Sequence, residues 1–193
     1  ELWYRYHPLF RDFLLRRARQ GMEPTEFRAL KRAAAGLLVN AGRVEDSVTL
    51  LQAAEDWEGL ASVILAQADA LVAEGRIQTL ERWIRSVPEP VRNQIPWLNF
   101  WLATTRVSFN PDEAYGLFEN VLAQFRLQRE QAGALLAWSG AVRAVLIRWA
   151  NMGRLSKLLE LFPTLHLEGT PYPSIEVEAH VADCMAGAIM HRQ

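Results

Sequence analysis

Three residues near the end of the chain have the types and the spacing of a reactive or metal-binding group. Glu176, His180 and Cys184 follow one another at steps of four residues, which places them on one side of a helix. A closed zinc site takes four ligands, and a cysteine nucleophile needs a third group that orients its base. The sequence offers neither a second ligand pair nor an orienting group, so we predict no metal site and no catalytic residue.

Tryptophans offer a second candidate surface. Five of the seven fall in the predicted middle helices, namely Trp83, Trp97, Trp101, Trp138 and Trp149. Trp97 and Trp101 lie one helical turn apart, and such a stripe either packs in a core or forms a platform on which a sugar ring or a partner's side chain stacks. If the tryptophans form such a platform, arginines nearby in the chain could bind the polar groups of the ligand or partner. The candidate ligand- or partner-binding residues are therefore Trp97, Trp101, Arg106, Trp138 and Arg143.

Motifs for nucleotide binding are missing from the sequence. No glycine is followed by lysine, and no GxGxxG pattern occurs, so we expect no phosphate-binding loop and no cofactor in this chain.

The composition excludes several classes of protein. The chain has 193 residues, of which 50% are hydrophobic and 22% are charged, and a formal net charge of −1; these values exclude a disordered or collagenous protein. Basic and acidic residues are interleaved, which argues against a surface that binds duplex DNA. A single cysteine forms no intramolecular disulfide, and no apolar run approaches the roughly 20 residues that span a bilayer. We therefore expect a cytoplasmic protein without membrane contact.

Helical periodicity dominates the chain and must position the candidate residues. After Asn110, apolar residues recur at steps of three and four: Ala114, Leu117, Phe118, Val121, Leu122 and Phe125. Asn110 is a suitable N-cap, Pro111 fits the first helical position, and Glu113 occupies the capping-box position. A later helix has an alanine stripe at residues 134, 137, 141 and 144 and bulky residues on its other faces, including Trp149. Neighbouring helices should therefore cover that helix on both sides.

Glycines divide these helices into pairs. Gly42, Gly75 and Gly153 each precede an arginine and a branched apolar residue, and each is predicted to end a helix in the left-handed conformation. The first two lie 33 residues apart, close to the roughly 34-residue tetratricopeptide period. Loops are predicted at residues 88–90 and 169–173, the second inside a flexible segment at 166–174, and residues 2–6 are the one candidate strand. The predicted fold is all-α, a right-handed α-α superhelix of tetratricopeptide-like hairpins.

The segment at residues 4–14 reads YRYHPLFRDFL. It resembles the end of the winged-helix part of the large ATP-dependent LuxR-type (MalT-like) transcriptional regulators, which are signal-transduction ATPases. Over about the first half of the chain, further positions agree with the family pattern, including Arg32, Gly42, Asp56, Trp57, Gly75, Trp83 and Pro88. Beyond Pro96 the resemblance consists of paired helices.

This resemblance implies an organisation for the whole protein. Family members combine an ATPase module, a winged-helix module, a superhelical sensor and a DNA-binding helix-turn-helix. Residues 1–20 would end the winged-helix module, and residues 21–193 would form a tetratricopeptide-like repeat domain. ATP is implied for the full-length protein, with no cofactor in this segment. The implied partners are a small-molecule inducer or a regulatory protein, with self-association allowed and no direct contact to nucleic acid.

The expected function is therefore that of a sensor and protein-interaction segment of a transcriptional regulator, and not of an enzyme. The alternative is a stand-alone helical-repeat scaffold or adaptor protein. The chain begins at Glu1 and not at methionine, which favours a segment of a longer protein.

Overall fold

The computed structural model describes residues 7–148 and 152–190. Over these ranges the chain forms eleven α-helices and no strand, so the all-α prediction is confirmed. The helices are α1 (Pro8–Gly21), α2 (Pro24–Asn40), α3 (Val44–Ala54), α4 (Trp57–Ala73), α5 (Ile77–Ser86), α6 (Glu89–Arg92), α7 (Pro96–Arg106), α8 (Pro111–Gln128), α9 (Gln131–Arg148), α10 (Met152–Leu165) and α11 (Ile175–Met190). The candidate strand at residues 2–6 and Trp149 lie outside the described residues.

The chain divides into two compact units, with the boundary between Val63 and Ile64 inside α4. In the first unit, α2 packs against both α1 and α3. The buried apolar residues of this unit include Ala35, Val48 and Leu51. The Arg32 guanidinium donates a 2.8 Å hydrogen bond to the carboxylate of Asp56, the residue directly before α4.

The second unit contains the part of α4 from Ile64 onward and helices α5 to α11. A hydrophobic core extends from α7 to α11. Helix α7 packs against α5 and α8, while α9 packs against α7, α8, α10 and α11. The side chains of Phe118, Phe125 and Trp138 are almost completely buried in this core. Both the alanine stripe and the bulky residues Leu135, Trp138 and Val142 of α9 are buried, as expected for a helix that neighbours cover on both sides.

Local signals correctly predicted several helix ends. Asn110 caps α8, since its side-chain oxygen accepts a hydrogen bond from the Glu113 backbone N–H, and a proline occupies the first turn. Gly42 and Gly75 adopt φ values of 72° and 73°, in the left-handed region that glycine enters at little cost. Both follow the last residues of a helix, α2 and α4 respectively.

Three local predictions were wrong. Gly153 lies inside the first turn of α10, because a glycine adopts helical angles as readily as left-handed ones. The predicted loop at residues 88–90 begins the short helix α6, since proline is tolerated in a first helical turn. The Glu113 carboxylate forms no capping box: it accepts hydrogen bonds from Arg106 and from the Asn110 side chain, while the Asn110 backbone N–H donates to the Arg106 carbonyl oxygen.

Two predictions at the level of the whole chain remain predictions. These are the division into a winged-helix tail at residues 1–20 with a repeat domain at 21–193, and the superhelical arrangement of the hairpins. Within residues 7–148 and 152–190, no helix combines the length and the apolar character needed to cross a bilayer. The predicted loop at 169–173 is confirmed, with Gly169 at a φ of 80°.

Candidate functional site

A cavity of about 320 Å³ lies in the second unit and is the candidate functional site. We call it the α7–α9 cavity because these two helices provide most of its wall. The residues that line it are Asp69, Val72 and Ala73 of α4, Phe100, Trp101, Thr104 and Val107 of α7 and its C-cap, Phe118 of α8, Leu136, Ser139, Gly140 and Arg143 of α9, and His180 of α11. It combines an apolar wall with three charged or titratable side chains.

Helical spacing explains why these residues converge. Leu136, Ser139, Gly140 and Arg143 stand at positions i, i+3, i+4 and i+7 of α9, which form one face of a helix. Phe100, Thr104 and Val107 follow the same steps along α7 and its C-cap. The cavity lies where these two faces meet.

Three aromatic rings form a continuous wall of the cavity. The rings of Trp101 and Phe100 meet edge to face, with centroids 5.3 Å apart, and Phe100 meets Phe118 in the same way at 5.8 Å. Gly140 lets Phe118 lie directly on the α9 backbone, since a Cβ atom at this glycine would stand 2.4 Å from the Phe118 ring. The wall is therefore held by packing on two helices, and Trp101 remains partly exposed at its edge.

Charged groups stand around this aromatic wall. The Arg143 guanidinium lies 3.7 Å from the Asp183 carboxylate, in a pair whose side chains are 46% and 76% exposed. His180 is exposed and comes from the neighbouring helix α11, while Asp69 is exposed and comes from α4. The wall therefore has two cationic or titratable groups from α9 and α11 and one carboxylate from α4.

The fold gives different surroundings to the three residues that were considered as a reactive group on α11, namely Glu176, His180 and Cys184. The buried Cys184 thiol donates a 3.3 Å hydrogen bond to the Ser139 carbonyl oxygen, and burial raises the pKa of this thiol although the Arg143 charge opposes the change. A hydrogen bond with Ser174 lowers the pKa of Glu176. His180 lines the cavity instead. Among residues 7–148 and 152–190, no three His, Cys, Asp or Glu side chains are placed to hold a metal ion.

The structure brings together two of the five candidate binding residues, Trp101 and Arg143. Trp97 packs on Phe125 with ring centroids 4.9 Å apart. The Trp138 side chain is fully buried, and its indole N–H donates a 2.7 Å hydrogen bond to the Leu158 carbonyl oxygen. Of the two interpretations given for the tryptophans, core packing and a binding platform, Trp138 thus has the core role.

Arg106 belongs to an ion-pair network that joins α5, α7 and α8. Its guanidinium donates hydrogen bonds to Glu113 at 2.9 Å and to Glu81 at 3.2 Å. Arg85 contacts the same two carboxylates, and its hydrogen bond with Glu81 is the main cause that raises its pKa. Arg106 is not among the residues that line the α7–α9 cavity.

Sequence reasoning missed Asp69, Thr104 and His180 as residues of the cavity. A signal existed on α9, where a serine, a glycine and Arg143 interrupt an otherwise apolar helix at one-face spacing. No comparable signal identified Asp69, because its place in the wall depends on which helices come together.

Two other cavities are more open to solvent. One, of about 400 Å³, lies in the first unit beside Phe27 and Lys31. The other, of about 440 Å³, lies beside the stacked rings of His166 and Tyr172, whose centroids are 4.0 Å apart. Neither has the continuous wall of three rings that distinguishes the α7–α9 cavity.

Comparison with known proteins gives a partial similarity. No protein-family model matches the chain, and no solved structure matches it significantly. The HTH-type transcriptional regulator MalT of Vibrio cholerae serotype O1 is 31% identical to it over 111 residues. The match covers 56% of this chain and 12% of the length of that regulator. Over the matched part, this all-α chain is therefore similar to a segment of a transcriptional regulator.

Proposed function

We propose that this chain is the sensor and protein-interaction segment of an ATP-dependent LuxR-type transcriptional regulator. It binds an inducer or a regulatory protein and couples that binding to activation. The α7–α9 cavity is the observation that carries the sensor role, because concave, mostly apolar pockets with a few convergent polar groups are the usual form of small-molecule sites. The similarity to a MalT-type regulator supports the regulatory context.

The helical architecture fits a coupling role. The cavity wall combines residues of α4, α7, α8, α9 and α11, so a ligand that contacts all of them favours the arrangement of helices in which they converge. A ligand shifts a conformational equilibrium when it binds one arrangement more tightly than another. In the proposed full-length regulator, that shift changes the ATPase state and the exposure of surfaces for self-association.

Other parts of the proposal concern chemistry outside this segment. ATP binds elsewhere in the full-length protein, and DNA contact is made by a separate helix-turn-helix. This segment performs no catalysis, holds no cofactor and acts in the cytoplasm. The second candidate function, a stand-alone helical-repeat scaffold, has the paired packing of α2 with α3 and of α7 with α8 in its favour.

The test uses the full-length protein encoded by the reading frame that contains this chain. Molecules that bind the 193-residue chain, found by calorimetric screening of sugars, nucleotides and aromatic acids, are added to the full-length protein. We expect such a molecule to change the ATP affinity, and ATP to change the affinity for that molecule by the same factor, because binding linkage is reciprocal. Reporter transcription should change in parallel.

Two variants make this test specific. Ala73→Trp places a large ring at the exposed edge of the cavity, while Ala123→Trp makes the same change at an exposed α8 position outside the cavity wall. The first should abolish the response to the small molecule and the second should preserve it. A binding molecule that leaves ATP affinity and transcription unchanged would overturn the sensor role, as would a reading frame without ATPase and helix-turn-helix modules.

A further inference from the structure

We propose that the α7–α9 cavity binds a small aromatic monocarboxylate, an inference that rests on the sensor role proposed above and names its ligand class. The ligand's ring packs on the wall formed by Trp101 and Phe100. Its carboxylate pairs with the guanidinium of Arg143. Four observations on the cavity support this assignment: its size, its rings, its guanidinium and its single carboxylate.

Size limits the ligand to a small molecule. The cavity encloses about 320 Å³, at the lower end of the range of roughly 300 to 1,000 Å³ for small-molecule sites. One or two fused rings with a short side chain fit this volume. A folded partner protein or a long oligosaccharide does not enter it.

The aromatic wall selects a flat, apolar body. Trp101 is partly exposed and already meets Phe100 edge to face, with centroids 5.3 Å apart. A ligand ring continues this series of edge-to-face contacts, because aromatic groups prefer offset or perpendicular packing and gain about 0.5–1.5 kcal/mol per pair beyond area burial. Leu136 and Val72 close the apolar surface around it.

Arg143 provides the anion site. Its pair with Asp183 is long, at 3.7 Å, and the Asp183 side chain is 76% exposed, so this ion pair is weak. A guanidinium has five N–H donors in a fork that matches a carboxylate. A ligand carboxylate next to the apolar wall competes with the exposed Asp183 for this guanidinium. His180 lines the same cavity and offers a second N–H donor.

Asp69 restricts the ligand to one negative charge. This carboxylate lines the α4 side of the cavity and repels a phosphate or a dicarboxylate. It accepts a hydrogen bond from a phenol or from an indole N–H on the ligand ring. The wall therefore favours an aromatic monocarboxylate that also has a hydrogen-bond donor.

The experiment is isothermal titration calorimetry of the 193-residue chain. The probes are benzoate, 4-hydroxybenzoate, 3-phenylpropionate and indole-3-acetate, each compared with its neutral amide. We expect at least one acid to bind with a millimolar or lower dissociation constant, and its amide to bind at least about tenfold more weakly. If all four acids fail to bind, or if the amides bind as tightly, the assignment is wrong.

Variants locate the binding in the cavity. Arg143→Gln should weaken binding of the acid by about tenfold or more and leave binding of the amide unchanged, while Arg143→Lys should restore part of the affinity. Arg126→Gln is the matched control, because Arg126 is an exposed arginine on α8 that does not line the cavity. Equal binding by the Arg143→Gln variant and the unaltered chain would overturn the proposal.

Failure of this inference can be distinguished from failure of the sensor role. A neutral sugar or a nucleotide that binds in the same titrations and is blocked by Ala73→Trp would overturn the aromatic carboxylate and leave the sensor role in place. An aromatic carboxylate that binds through Arg143 but does not change ATP affinity or transcription would confirm the site and overturn the sensor role.

Discussion

The indole N–H of Trp138 donates a 2.7 Å hydrogen bond to the carbonyl oxygen of Leu158, and this bond joins α9 to α10. The Trp138 side chain is fully buried, and its ring lies 4.7 Å from the Phe162 ring. A buried indole needs a partner for its N–H. This bond therefore satisfies the polar atom of the largest side chain in the core of the second unit.

Trp138→Phe tests the contribution of this bond. The variant removes the N–H and part of the ring, so we expect a loss of about 2–4 kcal/mol in the free energy of unfolding, measured by urea denaturation. Trp97→Phe is the control, since Trp97 is partly exposed and contacts the core through its ring; its loss should be about half or less. Equal losses in the two variants would show that this hydrogen bond adds nothing to the free energy of unfolding beyond the effect of the smaller ring.

Gly140→Ala tests the close approach of Phe118 to α9. The added Cβ would stand 2.4 Å from the Phe118 ring, so Phe118 or the helix must shift, at an expected loss of about 1–3 kcal/mol. Gly116→Ala in α8 meets no atom within 4 Å and should stabilise the chain by up to about 1 kcal/mol. Thermal unfolding of both variants gives the comparison. A stabilising Gly140→Ala would contradict the packing described for the cavity wall.

Asp56 has two roles in the first unit. Its carboxylate accepts hydrogen bonds from Arg32 and from the Gly59 backbone N–H at the start of α4, while its side chain is only 5% exposed. We expect Asp56→Ala to lower the free energy of unfolding by about 1–2 kcal/mol through loss of the cap. Asp46→Ala, an exposed aspartate paired with Arg43, should change it by about 0.5 kcal/mol or less. Similar effects of the two variants in denaturant titrations would rule out the capping role.

The shifted pKa of Tyr115 predicts that the free energy of unfolding changes with pH in the alkaline range. Burial, with a 2.7 Å hydrogen bond from its hydroxyl to Glu119, raises the pKa of Tyr115 from 10.0 to about 12. The folded state therefore holds the phenol proton of Tyr115 more tightly than the unfolded chain does. Its contribution to the free energy of unfolding is complete below pH 10 and is lost as pH rises through the folded pKa near 12. Tyr115→Phe should remove this part of the pH dependence, which amounts to at most about 3 kcal/mol. Ultraviolet titration of the phenolate should show one late tyrosine that disappears in the variant.

Local residues in the sequence already determined the helical elements and many of their ends. Asn110 with Pro111 starts α8, and Gly42 and Gly75 follow the ends of α2 and α4, because caps and left-handed glycines act within a few residues of chain. The same local rule failed at Gly153, since a glycine is compatible with both a helix end and a first helical turn.

Tertiary structure decided the roles of the candidate binding residues. Trp138 and Trp101 are the same residue type in similar helical patterns. Trp138 is fully buried and bonds to α10, whereas Trp101 lines a cavity. Periodicity identifies an apolar face but not the helix that covers it. The convergence of Asp69, Arg143 and His180 depends on how α4, α9 and α11 pack, and that information is non-local. The sequence by itself determined the helices, whereas the packing of those helices determined which side chains line the site.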